Sequence, residues 1–283
     1  MAKVRIFADS TSDLAPEQIA KYDIQIIPLC IILGDESYFD KEQISPDEIY
    51  RWSDEHRTTP KTAAPSMEMA IERIRPCIEA GEDVIFFGIS EQMSTCCNVI
   101  RLAAEELETD RIFVVDSRNL STGIGLQVIR AARMAQDGSS AEEIVREIES
   151  LRDDVRASFV VDTLTYLARG GRCTATTALL GNTLHIHPRI DVNGGKMGVS
   201  QKYRGNLRAV TMKYVKDMEE SLKTCRHDLV FITHSGTKEE ILDDVKEYLE
   251  SLGVFEEIVI TRAGGVISSH CGWGTLGVLY YTK

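Results

Sequence analysis

Short, nearly unbroken apolar runs punctuate the chain at residues 4–8, 24–32, 84–89 and 112–115. Runs of this length without polar alternation are expected of strands buried on both faces of a sheet. Between them, apolar positions recur every three or four residues, the spacing of one helix face. A helix is predicted over 16–22, opening on Pro16, whose missing N–H loses nothing in a first turn. Ser45, Pro46, Asp47 and Glu48 read as an N-cap, a first-turn proline and an acidic first turn of a helix reaching Trp52. Residues 67–78 and 94–107 carry the helical period too. Strands alternating with helices predict an α/β fold with a parallel sheet.

The pattern continues with a helix over 126–135, a break at Asp137, Gly138, Ser139 and Ser140, and a charged helix over 141–153. A second group of elements starts near Ser158. It comprises a strand running towards Asp162, a charged, glycine-bearing stretch at 202–207, and a strand with a turn at 230–236. An amphipathic helix at 239–252 and strands at 258–261 and 278–281 complete it. No linker-like, repeated or low-complexity stretch separates the halves. The expectation is two tightly packed α/β domains, residues 1–157 and 158–283, the first on a mostly parallel sheet and the second on a mixed one.

Composition narrows the function classes. The 283 residues are 43% hydrophobic and 27% charged, enough for a substantial core. The net charge of −12 argues against nucleic acid as the main partner, since phosphate binding needs a basic field. Met1 to Phe7 lead straight into a strand without a long apolar segment, and no stretch approaches the roughly 20 residues of a membrane span. Seven cysteines at irregular spacing do not read as a disulfide framework. A reducing cytoplasm is the expected location.

Three predicted strands end in small polar residues: Asp9 and Ser10, Ser90, and Asp116 and Ser117. Parallel sheets bind ligands beyond the carboxyl ends of their strands, so a polar site is expected there, although such residues also cap helices. Gly88, Ile89, Ser90, Glu91 and Gln92 approach the Gly-x-Ser-x-Gly nucleophile elbow, with Gln in the last position. A serine esterase using Ser90, Asp162 and His270 is the alternative reading. Gly123 and Gly125 lack the small residue that would complete a dinucleotide fingerprint, and they read as loop and close-packing residues. His185 and His187 would share one face of a strand as a metal pair, but no third ligand is nearby. Asp9 to Asp13 reads as a turn rich in Asx and Ser/Thr hydrogen bonds. Gly170 and Gly171 read as a tight turn projecting Arg172.

Taken in order, these segments resemble the DegV family of bacterial lipid-binding proteins. The resemblance runs from Ile6 to Tyr280. Asp9, Ser10, Thr11, Ser12, Asp13 and Leu14 are similar to the family's opening. Thr62 matches the threonine of its Thr-Ser-x-Pro-Ser segment, and Ser94 the serine of its Leu-Ser-Gly-Thr segment. Residues 164–172, ending in Arg169, Gly170, Gly171 and Arg172, resemble a further segment. His270, Gly272 and Gly274 match a His-x-Gly-Pro-Gly segment, with Trp273 in place of proline.

The resemblance implies one long-chain fatty acid as ligand, its carboxylate held by Thr62 and Ser94. His270 would support them, by donating to the carboxylate or by orienting Ser94, and Arg172 would lie near the mouth. It further implies no catalysis by this chain alone and no cofactor. The partner would be the ATP-binding subunit of a fatty-acid kinase, with transient membrane contact and no nucleic acid. A buried carboxylate needs hydrogen-bond donors, and the acyl tail needs an apolar tunnel. Ile26, Leu29, Ile31 and Met93 are the candidates for its lining.

Overall fold

The computed structural model describes residues 2–172 and 186–282. The first half runs β1 (Val4–Asp9), α1 (Pro16–Tyr22), β2 (Gln25–Ile27), β3 (Cys30–Leu33), β4 (Glu36–Phe39), α2 (Pro46–His56) and β5 (Lys61–Ala63). It continues through α3 (Met67–Glu79), β6 (Asp83–Gly88), α4 (Cys96–Glu106), β7 (Ile112–Asp116), α5 (Thr122–Gln136) and α6 (Ala141–Leu151). The strands β2-β1-β6-β7 form a parallel sheet in that order.

The single strand expected over 24–32 is two strands in two sheets. Pro28 has no N–H to donate to a ladder, and the chain leaves the parallel sheet there. β3 then pairs antiparallel with β4 and β5 in a small separate sheet. Leu29, at the crossing, is fixed on both sides: its N–H donates to Ser10 Oγ (3.2 Å) and its carbonyl accepts from Asp40 N–H (2.9 Å).

Local signals explain the helix starts. Ser45 and Glu48 form a capping box on α2, as the sequence suggests, and Ser140 with Glu143 forms another on α6. The expected helix over 94–107 starts later, at Cys96, which leaves Ser94 in the preceding turn. Gly123 and Gly125 lie inside α5 rather than in a loop. A side chain at Gly125 would press on Leu14 and the Ser12 carbonyl, so both glycines serve close packing.

The second half contains β8 (Val155–Val160), α7 (Thr165–Gly170), β9 (Ile186–Asn193), β10 (Lys196–Arg204), α8 (Leu207–Lys216) and α9 (Glu219–Thr224). β11 (Val230–His234), α10 (Glu239–Ser251), β12 (Ile258–Arg262), α11 (Gly265–Cys271) and β13 (Leu276–Tyr281) follow. Its six strands form a mixed sheet, ordered β10-β9-β8-β13-β11-β12. The division expected at 157/158 falls inside β8, the first strand of that sheet.

Both faces of the mixed sheet are covered. Leu276, Val278 and Tyr280 face a core shared with Tyr214 and Val215 of α8 and with Ile241, Val245 and Leu249 of α10. Leu279 and Tyr281 face the opposite way, into the core that also holds Phe86, Phe87 and Ile124 of the first half. That alternation is the period-2 geometry of a strand, here apolar on both sides. α5 is the filling between the sheets: it contacts β1 and β6 on one side and β8 and β13 on the other. Hence it is buried along most of its length.

Buried acids brace the first half and tie it to the second. Asp9 caps the turn at Ser10–Ser12 and also accepts from Ile89 N–H (2.7 Å). Asp13 accepts from Gly264 N–H (2.7 Å) and Ser121 Oγ (2.6 Å), with the Lys41 ammonium 3.3 Å away. Asp40 accepts from Gly265 N–H (2.7 Å) and Ser10 Oγ (2.8 Å). Burial pushes Asp40 up to about 6, against the opposing pull of the Lys41 charge and the Ser10 hydroxyl. Asp40→Ala strands a buried N–H and a buried hydroxyl. Guanidinium unfolding should show a loss of about 2–4 kcal/mol, whereas an unchanged midpoint would mean that this carboxylate does not hold α11.

Candidate functional site

A cavity of about 430 Å³ lies beyond the carboxyl end of the parallel sheet. Thr62 and Ala63 reach it from β5, Met93 and Ser94 from the turn before α4, and Leu29 and Ile89 from the ends of neighbouring strands. The second half supplies Val266, Ile267 and His270 from α11, Arg172 after α7, and Met197 from β10. Thr62, Ser94, His270 and Arg172, four residues far apart in sequence, therefore line one space. Leu29 and Met93 line it as expected. Ile26 and Ile31 are not among the lining residues: Ile31 is fully buried in the core beneath α11. Val266, Ile267, Leu120 and Met197 are lining residues that the sequence reading missed.

The polar end is built around one hydrogen bond. Thr62 Oγ1 and His270 Nε2 are 2.8 Å apart. His270 thus orients Thr62, not Ser94. The imidazole is neutral at ordinary pH, because burial and the nearby Arg172 charge push it down to about 4. Its Nδ1 has no hydrogen-bond partner among the described residues. That nitrogen lies against Gly170, where any β-carbon would collide with it.

Ser94 is held by its own backbone. Its N–H donates to the Ser90 carbonyl (3.1 Å), and its Oγ accepts from Cys96 N–H (3.2 Å) as α4 begins. No hydrogen bond donated by the Ser94 hydroxyl is made to the described residues. Gly171, at φ +67°, ends α7 in the left-handed conformation that suits glycine, and the chain turns out to Arg172. Arg172 is exposed, with Nη1 donating to the Gly170 carbonyl (2.8 Å).

The esterase triad is not assembled. Ser90 is fully buried and donates to the Gly195 carbonyl (2.7 Å). Asp162 lies 3.6 Å from His187, and His270 is engaged by Thr62. Of the proposed metal pair, His185 lies outside the described residues. His187 faces the carbonyls of Val161 (3.2 Å) and Gly205 (3.1 Å). Among the described residues, no group of three or more side chains could hold a metal ion, and no helix is long and apolar enough to cross a membrane. The polar strand ends brace loops: Asp116 accepts from Glu91 and Arg118 N–H, and Ser117 from Asn119 N–H.

A family model described as an uncharacterised protein of the DegV family matches residues 3–283. A DegV domain-containing protein of Clostridium perfringens is 34% identical over 282 residues, which is 99% of each chain. The chain belongs to the DegV family. Among solved DegV structures, one from Thermus thermophilus described as binding fatty acid superposes with a TM-score of 0.90, at 30% identity and 99% coverage of both chains. A stearic-acid-binding protein from Eubacterium ventriosum gives 0.84 at 28% identity, covering 100% of this chain and 99% of the other. DegV of Bacillus subtilis, described as a fatty-acid-binding protein, gives 0.85 at 25% identity over 100% of both. The two-domain architecture is thus that of the DegV fold.

The depressed His270 pKa makes stability depend on pH in a definite direction. Between pH 6.5 and about 4 the unfolded imidazole takes a proton that the folded one refuses. Its contribution is therefore complete above pH 6.5 and lost as pH falls towards 4, up to about 3 kcal/mol at roughly 1.4 kcal/mol per unit. Unfolding followed at several pH values should show His270→Asn gaining on the wild type as the solution is acidified. Parallel curves would contradict a buried neutral imidazole.

Proposed function

We propose that this protein binds one long-chain fatty acid in the cavity and presents its carboxylate to the ATP-binding subunit of a fatty-acid kinase. The observation that carries the reading is an apolar cavity with donors at one end. Leu29, Ile89, Met93, Leu120, Val266 and Ile267 supply apolar wall, and the lining also includes the bonded pair Thr62 and His270 and the hydroxyl of Ser94. The solved relatives described as fatty-acid binding support it.

The energetics fit that division of labour. An unpartnered buried carboxylate costs several kcal/mol, and hydrogen bonds to a charged group return about 1.5–3 kcal/mol each. Thr62 and Ser94 can each supply one. Affinity then comes from the tail, at about 0.8 kcal/mol per buried CH₂, over roughly 14–18 carbons. No cofactor is needed, because the chain's role is to shield the tail and hold the acid for a partner that carries ATP. Arg172, exposed and lining the cavity, would steady a transferred phosphate or meet that partner.

The purified protein should carry one C14–C18 acid in native mass spectrometry; an empty protein that accepts no added fatty acid overturns the proposal. Ser94→Ala and Thr62→Val should each weaken retention by about ten-fold or more. With a kinase ATP-binding subunit and ATP, acyl phosphate should form, and Arg172→Ala should lower that rate more than it lowers fatty-acid retention.

A further inference from the structure

We infer that Gly170 and His270 together fix the proton on Nε2 of the imidazole, making Thr62 a hydrogen-bond donor towards the cavity, so that the head-group site selects an ionised carboxylate over an alcohol of equal chain length. The inference rests on the fatty-acid reading and deepens it, from a lipid to the hydrogen-bond character of the head group.

A neutral imidazole carries one N–H and one bare nitrogen, and the partner of each decides which is which. Among the described residues, one nitrogen has a partner and the other has none. Nε2 faces Thr62 Oγ1 at 2.8 Å. Nδ1 is buried without a partner among the described residues and is packed against Gly170. A buried N–H with nothing to donate to is the rarer and costlier orphan, and a bare lone pair is better tolerated. The proton therefore belongs on Nε2, donating to Thr62 Oγ1.

The consequence passes through Thr62. A hydroxyl has one proton and two lone pairs. With Nε2–H donating to it, Thr62 keeps its proton for the cavity. In the other tautomer Thr62 would give its proton to Nε2 and show a ligand only lone pairs, which repel a carboxylate. Ser94 has the same polarity by a different route, since its Oγ accepts from Cys96 N–H. Thr62 and Ser94 thus each line the cavity with a hydroxyl that keeps its proton, and a carboxylate has two oxygens to receive them. A fatty alcohol has one oxygen, no charge, and a proton of its own to place.

This gives Gly170 a role separate from the turn made by Gly171. It is a positioning residue: only a residue without a side chain lets α7 seat the imidazole edge-on against its backbone. A larger residue pushes the ring off Thr62.

Three measurements test this. Nitrogen NMR of the imidazole should show a protonated, pyrrole-type Nε2 and a bare, pyridine-type Nδ1 for His270; the reverse assignment overturns the inference outright and needs no variant. Palmitic acid should bind at least ten-fold more tightly than hexadecanol. Binding of neither sinks the fatty-acid reading itself, whereas equal binding of both sinks only the head-group inference. His270→Gln, which retains an N–H donor, should hold palmitic acid better than His270→Glu, which can only accept when ionised; equal retention by the two overturns the proposal. Gly170→Ala should weaken palmitic acid binding and shift the His270 nitrogen signals, and retention of both wild-type values would remove Gly170 from the role.

Discussion

Two buried carboxylates hold the backbone of α11 in place, and the cavity depends on that grip. Asp13 receives the Gly264 N–H and Asp40 the Gly265 N–H, both at 2.7 Å, across more than 220 residues of chain. Carboxylates at the start of a helix meet the positive end of its dipole and its unpaired donors together. Their burial makes the bonds strong, and it makes their loss expensive. Because α11 also delivers Val266, Ile267 and His270, a wall and the polar end of the cavity are set by where these two acids lie. Asp13 and Asp40 are not among the residues lining the cavity; they are the footing on which the α11 lining stands.

A second constraint is that the halves share a core. The mixed sheet turns one apolar face to its own helices and the other to the first half, with α5 between the two sheets. A cavity at such a junction is lined from both sides, which is where ligand pockets tend to form. It also has rigid elements on most sides: the ends of a parallel sheet, a buried short helix and a hairpin. Polar atoms fixed in this way need little reorganisation to receive a charge.

What could be read from the sequence followed from how strongly each element signals. β1, β6, β7, β11 and β12 are apolar runs, and α2, α6 and α10 carry helical spacing or a capping box, so all were visible. β10 was not: its burial alternates only in part, most of its residues are exposed, and Lys202 and Arg204 belong to a charged, glycine-bearing stretch with no strand period. α11 was hidden for the opposite reason. Its seven residues are almost wholly buried, so no polar face gives it a period. That is why Val266 and Ile267 were missed as lining, while His270 on the same helix was singled out only by the family's His-x-Gly-Pro-Gly segment. The break at Pro28 was legible in principle, since a proline inside an apparent strand argues for an interruption. The polar residues Thr62, Ser94 and Arg172 came from a family resemblance; no local rule of spacing would have singled them out. Their meeting in one cavity is a product of tertiary structure.

The bond from Ser90 to the Gly195 carbonyl changes how the elbow-like serine should be understood. Its hydroxyl works as a latch. On one side it is continuous with the turn that carries Ser94, and on the other it grips the tip of the β9–β10 hairpin, whose second strand supplies Met197. Any displacement of the hairpin tip must either carry that turn with it as one body or surrender a buried hydrogen bond worth about 1 kcal/mol. The hairpin that supplies Met197 is therefore mechanically tied to the same turn that brings Ser94 to the cavity, and the serine that resembles a nucleophile serves as a fastener.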